Sequence, residues 1–184
     1  HRDLHSFPTR RSSDLLVVIN LQAGKLPVVD EGTVLGGIAR LARAAGEAGA
    51  PVLWGYLDEF GVGKGSPGHE LAAPLSAAPS DVRIEWSGGD FFNDARIVSL
   101  LDRAGIGTVV IAGMSSDGCV NETLRGALRR GYRVIVPQDT HTIASYPGSD
   151  AAGLRSILHG MNDRWRRLGN VTVMPAAEVA FVTP

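Results

Sequence analysis

The only cysteine of the chain, Cys119, stands in a segment whose composition could support nucleophilic chemistry. Residues 113–120 read Gly-Met-Ser-Ser-Asp-Gly-Cys-Val and separate an apolar run from a predicted helix. Backbone dipoles at the start of a helix favour a thiolate, the form of cysteine that attacks carbonyl carbon. Backbone N–H groups there could also stabilise an oxyanion. Cys119 is therefore either a candidate nucleophile or a packed thiol, and a lone cysteine excludes an internal disulfide.

Motifs for cofactors and metals are incomplete. No G-x-G-x-x-G opens a helix after the first apolar run, and Gly63-Lys64-Gly65-Ser66 lacks the Ser or Thr that a phosphate-binding loop places directly after Gly-Lys. The histidines His69, His141 and His159 do not have the spacing of metal ligands. We therefore expect no cofactor and no metal.

Composition limits the class of protein further. The 184 residues carry a net charge of −1, whereas nucleic-acid-binding domains are usually strongly basic. No apolar run approaches the roughly 18 residues of a membrane span. We expect a soluble, cytoplasmic protein that binds a small-molecule substrate, with neither nucleic acid nor membrane as a partner.

Residues 1–15, HRDLHSFPTRRSSDL, differ from the rest of the chain. They show neither helical nor strand periodicity, and HSFPTRRSSDL looks like one translated reading frame of a short-read sequencing adapter. We predict that residues 1–15 are an assembly artefact and disordered, that the true N-terminus is missing, and that residues 16–184 form one domain.

The elements that must position Cys119 follow an alternating order. Apolar β-branched runs alternate with segments of helical spacing, which is typical of parallel βαβ units and of a three-layer α/β/α sandwich with a mainly parallel, Rossmann-like central sheet. Predicted strands are Leu15–Ile19, Val52–Tyr56, Val82–Glu85, Thr108–Ala112, Val134–Val136 and Val171–Met174. Predicted helices lie around residues 34–48, 97–104, 120–130 and 151–168. Ligands bind at the carboxyl ends of such strands, where Asn20–Gln22, Trp86, Gly113–Cys119 and Asp139–His141 are found.

The segment TVVIAGMSSDGCVNETLRGALRRGYRVIVPQDTHT resembles the core signature of the isochorismatase-like, or cysteine, hydrolases. VVINLQ, KGSPGHELAAPL and PAAEVAF resemble further family segments in the same order, so the similarity extends from Leu16 to Phe181. The resemblance implies a single-domain α/β sandwich that forms a homodimer or homotetramer. It also implies hydrolysis of small-molecule amides such as nicotinamide, carbamoyl compounds or maleamate.

The resemblance further implies a catalytic triad of aspartate, lysine and cysteine, and here only Cys119 matches. Asn20 stands at the aspartate position and Trp86 at the lysine position. An amide cannot accept the thiol proton, and an indole carries no ammonium. Losing both charges together avoids leaving one buried charge unpaired, which would cost about 3–5 kcal/mol. A cis peptide between Met114 and Ser115 is also implied, with the backbone N–H groups of Ser115 and Cys119 as the oxyanion hole.

Two hypotheses follow. The first is a hydrolase in which Cys119 attacks an amide C–N bond with a different base: Asp139, Asp90, Glu85, His141 or a water molecule. The second is a catalytically impaired member that binds a small molecule or serves as an assembly subunit, with Trp86 among the aromatic residues of its pocket. The candidate substrate-binding residues are Gln22, Trp54, Phe91, Phe92 and His141.

Overall fold

A computed structural model describes residues 13–183 and contains seven strands and four helices within that range. The strands are β1 (Ser13–Ile19), β2 (Val52–Leu57), β3 (Val82–Trp86), β4 (Ile106–Met114), β5 (Arg133–Pro137), β6 (His141–Thr142) and β7 (Val171–Met174). The helices are α1 (Glu31–Ala48), α2 (Ala95–Ala104), α3 (Asn121–Arg129) and α4 (Ala151–Arg166).

The strands form one sheet in the order β3-β2-β1-β4-β5-β7, and the two-residue β6 pairs with β4. Every strand pair is parallel. Parallel pairing buries both faces of a sheet under helices, and apolar clusters lie on each face. The predicted α/β sandwich with a mainly parallel, Rossmann-like sheet is confirmed.

Strand β1 lies at the centre of the sheet and shows how the sequence builds both layers. Successive side chains of a strand point to opposite faces, so Leu15, Val17 and Ile19 join the cluster beneath α2 and α3, whereas Leu16 and Val18 join the cluster beneath α1. All seven residues of β1 are buried. An uninterrupted apolar run is what a strand buried on both faces requires.

Several helices end where the sequence predicts. Gly49 closes α1 at φ 72° and Gly105 closes α2 at φ 63°, a left-handed conformation that glycine adopts without penalty. Asp94 and Asp150 accept hydrogen bonds from the first-turn N–H groups of α2 and α4. Local capping therefore fixes the helix ends that the sequence pattern indicates.

Two features of the chain differ from the expectations. β1 begins at Ser13, so the last three residues of the segment expected to be disordered belong to the sheet, and Asp14 accepts a hydrogen bond from the N–H of Val182 at 2.7 Å. Residues 1–12 lie outside the described residues, and an adapter origin stays a prediction. The strand β6 was not predicted because two residues carry no periodicity.

Within the described range, the helices lack the length and apolar character to cross a membrane.

We predict that Gly113→Ala destabilises the protein strongly, because the backbone of β1 leaves no room for a side chain at this position of β4. Gly113 has φ 119°, and a Cβ would lie 2.0 Å from the carbonyl oxygen of Ile19. We expect the free energy of unfolding to fall by at least about 3 kcal/mol in urea titrations. Gly160→Ala is the matched control: this α4 position has open space around it, so alanine should stabilise by up to about 1 kcal/mol. Equal effects of the two substitutions would contradict the prediction.

Candidate active site

Cys119 lies on the turn that joins β4 to α3. The strand ends in a cis peptide between Met114 and Ser115, at the position that the family resemblance implies. A kinked turn, Ser116–Val120, follows, with φ −115° and ψ −111° at Gly118, and leads directly into α3. The carbonyl oxygen of Ser115 accepts hydrogen bonds from the N–H groups of Gly118 at 3.1 Å and Val120 at 3.0 Å, which folds the turn back on itself.

The thiol of Cys119 is partly buried and unoxidised. It faces the turn after β3, where a Cβ placed on Gly88 would lie 3.8 Å from Sγ. On the next residue, Gly89, a Cβ would lie 3.3 Å from the carboxylate of Glu122. Two glycines therefore leave room beside the thiol and beside the first turn of α3.

Asn20 and Trp86 form a neutral hydrogen-bonded chain beneath this turn. Trp86 Nε1 donates to Asn20 Oδ1 at 3.0 Å, and Asn20 Nδ2 donates to the carbonyl oxygen of Met114 at 2.9 Å. Both side chains are buried, and the Trp86 ring packs edge-on against Phe91. The two substituted triad positions are thus brought together, but as an amide and an indole instead of an ion pair.

The four residues considered as replacement bases are engaged elsewhere. Asp90 accepts from Arg129, Arg130 and the N–H of Phe92, and its carboxylate fills the space that a Cβ on Gly126 would occupy.

The other two carboxylates also have partners. Asp139 accepts from the N–H of Ala176 at 2.8 Å, and Glu85 lies 3.7 Å from His69.

His141 is buried in a network that involves both ring nitrogens. Its Nε2 lies 2.9 Å from Asn162 Oδ1, and its Nδ1 lies 2.8 Å from Ser116 Oγ. Because Asn162 Nδ2 donates to the carbonyl oxygen of Gln138, its Oδ1 faces His141 and accepts from Nε2–H. The neutral ring leaves Nδ1 as an acceptor, so the single hydroxyl hydrogen of Ser116 is shared between Nδ1 and the carbonyl oxygen of Thr142. Burial lowers the pKa of His141 to about 4, while Asn162 and Asp139 act in the opposite direction.

The remaining candidate substrate-binding residues lie inside the protein. Gln22 is fully buried and spans the ends of β1 and β2, accepting from the N–H of Leu57 and donating to the carbonyl oxygens of Leu57 and Val62. Trp54 packs in the cluster beneath α1 and donates to Asp81 at 2.8 Å.

The two phenylalanines complete this set. Phe91 and Phe92 are fully buried beneath α2 and α3. None of these four side chains presents exposed surface to a ligand in the structure, so we assign them packing and clamping roles.

Lys25 is a charged neighbour of the thiol that sequence reasoning did not single out. Partial burial lowers the pKa of Lys25, and Coulomb attraction to Cys119 acts in the opposite direction. Lys25 also forms an ion pair with Glu59 on the loop after β2. Its place six residues after the carboxyl end of β1 was the available signal, because that edge of the sheet collects ligand-binding residues.

A separate cavity of about 260 Å³ lies between the N-terminal end of α1 and α4. Its walls include Asp139, His141 and Asn162 but not Cys119, so this cavity is not the space in front of the thiol. Among residues 13–183, no group of three His, Cys, Asp or Glu side chains is arranged to hold a metal ion.

Together, the fold and the cysteine-bearing turn define the class of cysteine hydrolases with a parallel α/β/α sandwich. The isochorismatase domain family model matches residues 14–163. The chain therefore belongs to the isochorismatase family of hydrolases, which confirms the resemblance seen in the sequence.

Similar proteins include enzymes that hydrolyse amides. A streptothricin hydrolase from Streptomyces noursei is 33% identical over 185 aligned positions, covering 93% of this chain and 72% of that protein. Another match to streptothricin hydrolase from this organism covers only 44% of that protein. Ureidoacrylate amidohydrolase RutB from Methylobacterium radiotolerans is 29% identical and is covered to 61%. The chain thus spans about half to three quarters of the length of these relatives.

Solved structures agree on the fold. N-carbamoylsarcosine amidase from Thermoplasma acidophilum superposes with a TM-score of 0.77 at 21% identity, covering 91% of this chain and 97% of that chain. A putative isochorismatase from Burkholderia xenovorans gives a TM-score of 0.76 at 25% identity, covering 90% and 84%.

We predict that Asn20 and Trp86 are energetically coupled. Trp86→Phe keeps the aromatic ring but leaves Asn20 Oδ1 without its donor, which should lower the free energy of unfolding by about 1–3 kcal/mol. Asn20→Asp buries a charge beside the Met114 carbonyl and should cost about 3–5 kcal/mol. The double variant Asn20→Asp/Trp86→Lys should recover most of that loss by restoring an ion pair. Additive losses in urea titrations would contradict this coupling.

We also predict that acid weakens the fold through His141. Between pH 6.5 and 4 the unfolded chain binds a proton at this histidine and the folded chain does not, so stability is complete above pH 6.5 and falls with pH. A histidine pKa lowered to about 4 corresponds to about 3 kcal/mol lost by pH 4. The measurement compares urea midpoints of wild type and His141→Asn from pH 7 to 4. Parallel curves for the two proteins would refute the assignment.

Proposed function

We propose that the protein hydrolyses the C–N bond of a small-molecule amide, with Cys119 as the nucleophile. The observation that carries the proposal is the position of Cys119, which is partly exposed on the turn that joins β4 to α3. The amide-hydrolysing relatives support the class of substrate, and the backbone N–H groups of Ser115 and Cys119 are the proposed oxyanion hole.

In the proposed reaction, Sγ of Cys119 bonds to the amide carbon and the C–N bond breaks. The amine leaves with a proton, and water hydrolyses the thioester to release the acid and regenerate the thiol. Lys25, which also pairs with Glu59, interacts electrostatically with Cys119, and in this proposal its charge favours the attacking thiolate. Cysteine depends on a base less than serine does, since a few per cent is thiolate at pH 7 without help.

The neutral pair of Asn20 and Trp86 sets the expected rate. A positioned general base contributes about 10²- to 10⁴-fold, and Asn20 cannot act as one. We therefore propose a slow hydrolase, in which water takes the thiol proton. A cytoplasmic location and assembly into a homodimer or homotetramer stay predictions.

A second candidate function is a catalytically impaired member that binds a small molecule or acts as an assembly subunit. The observation that favours it is the hydrogen bond from Trp86 to Asn20, which leaves neither a base nor a cation at the two substituted positions. In this alternative, the cysteine-bearing turn is retained for its fold and not for chemistry.

Turnover of a defined panel separates the two functions. Nicotinamide, maleamate, N-carbamoylsarcosine and streptothricin are incubated with wild type, Cys119→Ala and Asn20→Asp/Trp86→Lys, and the hydrolysis products are measured. We expect slow wild-type turnover of at least one compound, none with Cys119→Ala, and kcat raised by about 10²- to 10⁴-fold in the double variant.

Each other outcome of this experiment has a defined meaning. Turnover that survives Cys119→Ala would contradict Cys119 as the nucleophile. Activity that appears only in the double variant would favour the impaired member, because the scaffold would then be competent and the native site not.

A further inference from the structure

The turn that carries Cys119 is held from the side by a buried hydrogen-bonded chain. Ser116, the first residue of the kinked turn, is fully buried, and its hydroxyl lies 2.8 Å from His141 Nδ1 and 2.9 Å from the carbonyl oxygen of Thr142. His141 continues the chain to Asn162 of α4 at 2.9 Å. Two hydrogen bonds through His141 therefore connect Ser116 to α4. Ser116 and His141 are 25 positions apart in the sequence, and His141 and Asn162 are 21 positions apart.

A second contact from the same helix holds the other end of the turn. Trp165 Nε1 donates to Asn121 Oδ1 at 3.0 Å, and Asn121 is the first residue of α3. The Trp165 ring also packs edge-on against His141, with ring centroids 4.8 Å apart. Two side chains of α4 therefore support the segment on both sides of Cys119: Asn162 acts through His141 before it, and Trp165 acts through Asn121 after it.

We propose that His141 is a positioning residue, which holds the Ser115–Cys119 turn in acyl-transfer geometry through its hydrogen bond to Ser116. The proposal rests on the proposed role of Cys119 as nucleophile. His141 is only 2% exposed and both ring nitrogens have protein partners, so it acts through Ser116 and not on the substrate. Ser116 lies between Ser115 and Cys119, whose N–H groups are the proposed oxyanion donors.

A displacement of this turn should affect one kind of reaction at the thiol and spare another. Acylation by p-nitrophenyl acetate forms the Sγ–acyl bond, breaks the ester C–O bond and releases p-nitrophenol through an oxyanion intermediate. Alkylation by iodoacetamide displaces iodide at a saturated carbon and forms no oxyanion. A misplaced oxyanion hole slows the first reaction only, whereas a generally loosened turn changes both.

Two substitutions at His141 each keep one of its two hydrogen bonds and remove the other. The asparagine amide reaches the Nδ1 position and the glutamine amide reaches the Nε2 position, so His141→Asn keeps the contact to Ser116 and His141→Gln keeps the contact to Asn162. Ser116→Ala removes the contact to His141 from the other side, together with the hydrogen bond to the carbonyl oxygen of Thr142. His159→Gln, at an exposed position of α4, is the control for the substitution itself.

We expect His141→Gln and Ser116→Ala to slow acylation by about 10- to 100-fold, since a misplacement of about 1 Å can cost 10²-fold. Alkylation should stay within about twofold of wild type in every variant. His141→Asn should retain acylation within about threefold, His159→Gln should match wild type, and Ser116→Ala/His141→Gln should be no slower than the slower single variant.

Four results would overturn the proposal: wild-type acylation in Ser116→Ala, a parallel loss of alkylation, equal losses in His141→Asn and His141→Gln, or no Cys119-dependent acylation in wild type. Ser116→Ala keeps the test decisive if a His141 variant does not fold. Acylation that behaves as expected in a protein without amide turnover would contradict only the proposed amide hydrolysis and leave the positioning role supported.

Discussion

The hydrogen-bonded chain from Trp86 through Asn20 to the Met114 carbonyl ties together the carboxyl ends of β3, β1 and β4. These ends converge on the edge of the sheet where the thiol lies, so the turn after β4 inherits its position from that chain. Asn20 also takes φ 61°, a left-handed conformation that asparagine tolerates better than most residues. The amide therefore satisfies a backbone requirement as well as two hydrogen bonds.

The neutrality of this chain has a physical consequence for the site. A buried ion pair repays its desolvation only when its geometry is excellent, and breaking it strands a charge. An indole and an amide avoid both the desolvation cost and the dependence on pH, and their hydrogen bond contributes about 0.5–1.5 kcal/mol. The fold thus keeps the architecture of a cysteine-hydrolase site without the electrostatic activation that an ionised aspartate and lysine would provide.

The sequence predicted the sheet and the position of Cys119 on the turn between β4 and α3 well, because both depend on local patterns. The apolar run at β1 has no alternation, the glycines at residues 49 and 105 close helices, and the Gly-x-x-Ser-x-x-Cys spacing marks the turn. The roles of Gln22, Trp54, Phe91 and Phe92 were not predictable in this way. Whether an aromatic ring packs in the core or lines a pocket depends on side chains that are distant in sequence. Here Asp81 accepts a hydrogen bond from Trp54, and the ring of Tyr132 packs against Phe92.

The same distinction explains why Lys25 and the chain from Ser116 to Asn162 escaped sequence reasoning. Their contacts join residues 21 to 34 positions apart, the widest being the pair Lys25 and Glu59, and no spacing rule connects such residues. Once they are placed, the turn at Cys119 is supported by hydrogen bonds between neutral groups. A scaffold of this kind can lack charges at Asn20 and Trp86 while its geometry persists, because those two side chains still hold the strand ends by hydrogen bonds and His141 and Trp165 hold the turn from the other side.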